Sequence, residues 1–249
     1  SSSEKNEPVL KAHASSSSSS EKNEITALLD HVTDPKNAAT YASDKERLAE
    51  IITYLVAGHD TTGYSLAFAL YEIAKQGPDF AAKLRQEIND DHDLVPQHET
   101  SLFNRTCKEA LRLWPVAAVG PVRRVTAKDG LRVTAASGRE YLLPHGATAF
   151  CPFLPIMRLA PGVHEPETFD PDRWLDPGQA DGLRASYMPF SLGPRNCLGM
   201  AFALAELKRV LAAIVQRYDV TLVKDFRPDF FLTMKPVDGL LRARNVVTT

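Results

Sequence analysis

Phe190-Ser-Leu-Gly-Pro-Arg-Asn-Cys-Leu-Gly199 places one cysteine in a loop bracketed by glycines, directly ahead of a long apolar stretch. Leu198 to Tyr218 reads as one continuous helix, so the Cys197 sulfur stands at a helix N-terminus, whose partial positive charge favours an anion. Gly193 and Gly199 permit unusual dihedrals and close backbone approach, the conditions under which main-chain N–H groups can point at a sulfur. The pattern predicts a metal-binding thiolate at Cys197. Cys107 lies inside a helical run and Cys151 follows an apolar, strand-like stretch. Neither has glycines or cations beside it, and both read as buried, inert thiols.

The 249 residues, 44% hydrophobic, can bury a substantial core, and a net charge of −2 offers no electrostatic reason to expect nucleic acid. A small-molecule enzyme suits these figures better. Three cysteines without a Cys-x-x-Cys pair indicate neither a disulfide scaffold nor a zinc ribbon. No charged start followed by an apolar run is present, so no signal peptide or membrane anchor is expected in this chain. Residues 1–23 are serine-rich, and Ser-Ser-Ser-Glu-Lys-Asn-Glu occurs at 1–7 and again at 18–24. A segment this polar cannot bury a core and reads as a disordered linker, leaving 24–249 as the folded portion.

A second decisive stretch runs from Asp44 to Lys75, apolar from Ile51 to Ala74 except for Gly58-His-Asp-Thr-Thr-Gly63 at its centre. Ser43 with Glu46 three residues on makes a capping box, and Gly77-Pro78 stops the helix. The run is long enough to span a membrane. Asp60 near mid-span argues against that, since insertion there costs about 2.5–3.5 kcal/mol. A helix buried through a soluble domain is the better reading.

Taken together these motifs carry a resemblance. Phe-x-x-Gly-x-Arg-x-Cys-x-Gly resembles the haem-ligand loop of the cytochrome P-450 (haem-thiolate monooxygenase) family at every fixed position. The resemblance implies a mainly α fold with small β-sheets (α+β), of which this chain is the carboxy-terminal portion, similar to the eukaryotic microsomal branch. It implies haem b as cofactor, with Cys197 as the axial thiolate promoting O–O cleavage and with Phe190, Arg195 and Gly199 at the haem. Gly58, Asp60, Thr61 and Thr62 match the signature of the helix that crosses the haem. By that match Thr61 hydrogen-bonds dioxygen and Asp60 links the site to solvent protons, through a helix that a threonine hydroxyl beside a glycine can open to water. His59 occupies the variable position and reads as a neighbour-paired helix residue; Thr62 reads as structural.

Ser101 to Trp114 is a further helix, stopped by Pro115, with Glu109 and Arg112 at i, i+3. Such a pair on an exposed surface contributes only about 0.2–0.5 kcal/mol. Phe169-Asp-Pro-Asp-Arg173-Trp174 downstream is similar to the family's second arginine motif. The resemblance therefore joins Glu109, Arg112 and Arg173 in a buried triad under the haem.

Gly and Pro punctuation from Gly120 predicts short strands, among them Leu131–Thr134, Glu140–Leu143 and 147–151. Haem propionates need cations that stay charged when partly desolvated, which suits arginine's fixed fork. The resemblance names Arg195 first and Arg124 second, and places Val116 to Val119 beside an apolar substrate. Met157-Arg158 departs from the family's frequent His-Arg, and Leu232 to Leu240 resembles its final hairpin, with Asp238-Gly239 as the turn.

The implied activity is monooxygenation of a small apolar organic substrate with electrons from NADPH through a diflavin reductase. It would occur at the cytosolic face of the endoplasmic reticulum membrane, through an anchor absent from this chain. A haem-thiolate isomerase or peroxygenase on the same fold is the alternative enzyme, against which Asp60 and Thr61 argue. A non-catalytic remnant unable to hold haem is the third reading.

Overall fold

The computed structural model describes residues 34, 36, 43–91, 93–135 and 137–246; the serine-rich segment 1–23 lies outside them. Helix α1 (Asp44–Gln76) begins where predicted, with the Ser43 hydroxyl accepting from the Glu46 N–H at 3.2 Å. It ends at Gly77, whose φ of 88° no residue with a side chain adopts cheaply, and Pro78 opens α2 (Pro78–Asp90). Helix α3 (Leu102–Leu113) is capped by Ser101, which accepts from the Asn104 N–H. Helix α6 (Met200–Arg217) starts two residues later than predicted and gives way to a strand at Tyr218.

The core forms where these four helices meet. Ala69 and Ile73 of α1, Leu84 and Ile88 of α2, Phe103 and Cys107 of α3, and Leu211 and Val215 of α6 pack as one cluster. Each falls at helical spacing on its own element, so one stripe per helix is withdrawn from water. Truncating a fully closed member such as Phe103 to Ala costs about 3–5 kcal/mol.

The expectation that α1 is buried throughout fails for its first half. Leu48, Ile52, Leu55 and Val56 are exposed, and the fully buried positions run only from Phe68 to Ile73. Leu55 lines a wide cleft that begins at Thr53, whereas Leu48, Ile52 and Val56 lie outside it.

Among the described residues, four antiparallel two-stranded ladders complete the fold. Strands β1 (Val122–Arg124) and β4 (Thr148–Phe150) pair, and between them β2 (Leu131–Thr134) pairs with β3 (Glu140–Leu143). The short helices α4 (Phe153–Arg158) and α5 (Ala180–Ser186) follow, with a 3-10 turn at Pro171–Leu175 between them. Cys151, expected to be buried, is exposed just beyond β4, a ladder too narrow to cover it.

The last four strands are β5 (Tyr218–Lys224), β6 (Arg227–Phe230), β7 (Met234–Val237) and β8 (Leu240–Asn245). Here β6 pairs with β7 and β5 with β8, so they form one long hairpin whose tip is 231–233. Asp238-Gly239 is therefore a mid-arm kink and not the turn the sequence suggested. Asp238 takes a φ of 64°, and a Cβ on Gly239 would stand 2.7 Å from that of Phe226. The kink lets Phe226 leave the ladder and pack edge-on to Tyr71 and Trp114, at 4.4 and 5.0 Å between ring centres.

Candidate functional site

The cysteine loop is shaped by its backbone. Ser191 and Gly193 take φ values of 63° and 78°, a 3-10 turn spans Gly193–Arg195, and the Cys197 N–H donates to the Phe190 carbonyl at 2.9 Å. The Asn196 N–H donates to the Gly193 carbonyl, and the Met200 N–H to that of Cys197. These amides close the loop on its own carbonyls rather than on the sulfur. Gly193 has the left-handed conformation that requires glycine, whereas Gly199, at φ −86°, has an ordinary one and serves as the N-cap residue of α6. Cys197 is exposed, three residues ahead of the first helical residue.

Facing this loop is the polar middle of α1, which runs unbroken from Gly58 to Gly63. The Thr61 hydroxyl donates back to the Ala57 carbonyl at 2.6 Å, as its type predicts. His59 Nδ1 lies 3.0 Å from Asp60 Oδ1, the neighbour pairing expected of it.

Asp60, Thr61, Cys197 and Gly199 line one cleft of about 720 Å³. Its walls are otherwise largely apolar, with Leu55, Leu66, Leu198, Phe202 and Val210 among them. Cofactor and ligand sites typically enclose about 300–1,000 Å³ with few polar groups, so the cleft has the size and character of one. Cys197 is the one thiol in its lining, and His59, Asp60, Glu206 and the hydroxyls of Tyr54, Thr61 and Thr62 are among its polar groups. Phe190, Arg195 and Arg124 do not line it; Phe190 is half-buried, and both arginines are exposed. Val116 and Ala118 are likewise outside it, buried against Phe68 and Met234.

The predicted ion triad is present and closed to solvent. Glu109 Oε1 accepts from Arg112 Nη2 at 2.7 Å, from Arg173 Nε at 2.8 Å and from the Asp170 N–H at 3.1 Å. Oε2 accepts from Arg112 Nε at 2.9 Å and from the Trp174 indole at 3.0 Å. One carboxylate thus faces two guanidinium groups, an arrangement that compensates its burial.

The free ends of both arginines bind main-chain carbonyls. Arg112 reaches those of Met157, Pro166 and Thr168, and Arg173 those of His164, Glu165 and Thr168. The triad is therefore the fastening of segment 157–168, from the last residues of α4 onward, onto α3. No local sequence signal marks those carbonyls, because any residue supplies one. Arg158, at the departure from the family pattern, donates Nε and Nη2 to the Leu113 carbonyl at 3.0 and 2.7 Å, and its guanidinium carbon lies 4.6 Å from the Trp114 ring centre.

Glu72 carries no sequence signal of its role. Glu72 is 3% exposed on α1 and accepts from the Trp114 indole N–H at 2.7 Å, a contact between chain segments that no motif links. Cys107 behaves as predicted: burial pushes its thiol up to about 12.

The family model described as Cytochrome P450 matches residues 4–245. Cytochrome P450 3A40 of Oryzias latipes is 33% identical over 76% of this chain and 37% of its own length. Cytochrome P450 4F12 of Homo sapiens is 32% identical over 81% of the chain and 37% of its own. The crystal structure of a cytochrome P450, CYP102L1, superposes with a TM-score of 0.66 at 29% identity, over 82% of this chain and 47% of that one. The cytochrome P450DA heme domain gives 0.65 at 30% identity. The chain thus spans less than half the length of these relatives.

Proposed function

The chain belongs to the cytochrome P450 family, and from that premise we propose that it carries the carboxy-terminal part of a haem-thiolate monooxygenase centre, oxidising a small apolar organic substrate. The observation that carries this reading is that Asp60, Thr61 and Cys197, separated in sequence, line the same apolar cleft. Haem b suits these residues: its faces are apolar like the walls, and the exposed Cys197 sulfur is the one soft donor on the lip. When bound, haem would supply dioxygen activation, with the thiolate donating electron density that favours O–O cleavage.

The chain's own residues have distinct tasks. Cys197 is the thiolate, held by the 2.9 Å bond from its N–H to Phe190. Phe190 supplies the carbonyl that anchors the loop, and Gly199 leaves the space beside it open. Thr61 spends its proton on the Ala57 carbonyl, so its oxygen lone pairs are available to accept from a water in the cleft. Breaking that intrahelical bond would leave the same hydroxyl proton free to be donated into the cleft. Asp60 is partly exposed beside His59 and so joins the cleft to solvent, a proton source that its apolar walls do not supply. Arg195 and Arg124, both exposed, are the partners proposed for the propionates.

By the same reading, electrons come from NADPH through a diflavin reductase at the cytosolic face of the endoplasmic reticulum. Among the described residues no helix is long and apolar enough to cross a membrane. Asp60 and Thr61 favour monooxygenation over an isomerase or peroxygenase, neither of which needs proton delivery to dioxygen. The test is the carbon monoxide difference spectrum of the reduced, haem-reconstituted protein. A thiolate-type band lost in Cys197→Ser is expected; no haem band at all, or a band unchanged in that variant, overturns the assignment.

A further inference from the structure

Buried carboxylates stand on both α1 and α3, Glu72 on the first and Glu109 on the second, and their surroundings differ sharply. Glu109 has its two guanidinium partners. Glu72, 3% exposed, has a single hydrogen bond among the described residues, from the neutral Trp114 indole, and no ion pair. The groups that face it are Lys75 and Tyr71 on its own helix, Glu109 on α3 and Arg158 on α4. Burial, the largest influence, pushes the Glu72 carboxyl up from its ordinary range, opposed by the Trp114 bond and the two cations.

Trp114 is in turn the joint between the two helices. It closes α3 as its C-cap, with its N–H donating to the Ala110 carbonyl at 2.9 Å. Its ring lies parallel to Phe68 of α1 at 5.0 Å, and Tyr71 of α1 meets it edge-on at 6.3 Å. Three turns upstream on the same rigid helix stand Asp60 and Thr61.

We propose that Glu72 and Trp114 form a proton-sensitive positioning pair that sets α1, with Asp60 and Thr61, against α3, with Glu109 and Arg112. Charged Glu72 draws the indole proton strongly and holds the helices in register; protonated Glu72 keeps the contact with a weaker, neutral acceptor. The importance of that register for catalysis rests on the function proposed above. The pair itself does not, and its test requires no haem.

The experiment follows the indole N–H resonances of the full 15N-labelled chain across pH, with Trp114→Phe assigning the Trp114 signal by its loss. That signal is expected to move downfield as pH rises, with a midpoint above the ordinary glutamate range, and to stop titrating in Glu72→Gln, which retains an acceptor oxygen. Thermal unfolding supplies the second readout. The Tm deficit of Trp114→Phe should widen with pH, and in the E72Q background it should stay constant. A flat indole signal, a titration that survives in E72Q, or a Trp114→Phe deficit independent of pH overturns the proposal. If Trp114→Phe does not fold, the resonances of the parent chain and E72Q decide alone, the signal that titrates in one and not the other being that of Trp114.

Discussion

Arg173 Nε donates to Glu109 Oε1 at 2.8 Å across 64 residues of chain, with both side chains shut off from solvent. The charge on Glu109 is thereby shared between an arginine of its own helix and one from a distant 3-10 turn. Whatever loosens either arginine exposes segment 157–168 as well, since the same guanidinium groups hold its carbonyls.

Arg112→Ala should therefore cost about 3–5 kcal/mol, because it leaves a buried carboxylate short of a partner and frees three carbonyls at once. Urea unfolding measures it. Arg112→Lys keeps the charge but not the fork and should recover little of the loss. The alanine variant should also fail to incorporate haem; normal occupancy would contradict the role given to the triad.

Cys197→Ser should leave stability within about 0.5 kcal/mol, as expected for an exposed side chain outside the core. Its expected effect is confined to the haem spectrum. A large drop in Tm would mean that the loop depends on the sulfur for folding.

Alkylation should separate the three thiols. Cys151 and Cys197 are exposed and should react with iodoacetamide in the native chain, while Cys107, buried and pushed up to about 12, should react only on unfolding. Peptide mass spectrometry reads all three sites in one sample.

Tyr71 gives an alkaline prediction. Burial, then the hydrogen bond to Asp225 at 2.9 Å, raises its phenol from 10.0 to about 12. The folded state therefore holds this proton more tightly than the unfolded one, so the associated stability is complete below pH 10 and disappears as pH rises through about 12. Tyr71→Phe should be less stable at neutral pH and should lose less between those limits, as Tm against pH would show.

Thr61→Ala should preserve α1, since alanine is the stronger helix former and only the bond to Ala57 is lost. In a haem-loaded enzyme, substrate oxidation should fall by about 10²-fold or more, the range for losing a positioned proton donor. Unchanged turnover would remove Thr61 from the proton path.

Much of this protein is legible in its residues. Ser43 and Gly77 bound α1 as capping chemistry predicts, the ladder of 131–143 lies where glycine and proline punctuate the chain, and Thr61 bonds back to Ala57 because threonine in a helix does so. Asp238-Gly239 was misleading for an equally local reason. Asp-Gly announces a positive φ, which the chain uses, but whether that bend closes a hairpin or kinks one depends on Phe226 finding the Tyr71–Trp114 pocket.

The sequence by itself determined the family, the cysteine loop, the triad's members and the helix facing the loop, because each is written in residue type and short spacing. Only the tertiary structure decided that Thr61 and Cys197 share one cleft, that the two arginines spend their free donors on the carbonyls of 157–168, and that Glu72 lies buried on a single indole bond. Those outcomes depend on which distant groups meet once water is excluded, and a carboxylate's neighbours across a helix interface leave no periodicity in the chain that carries it.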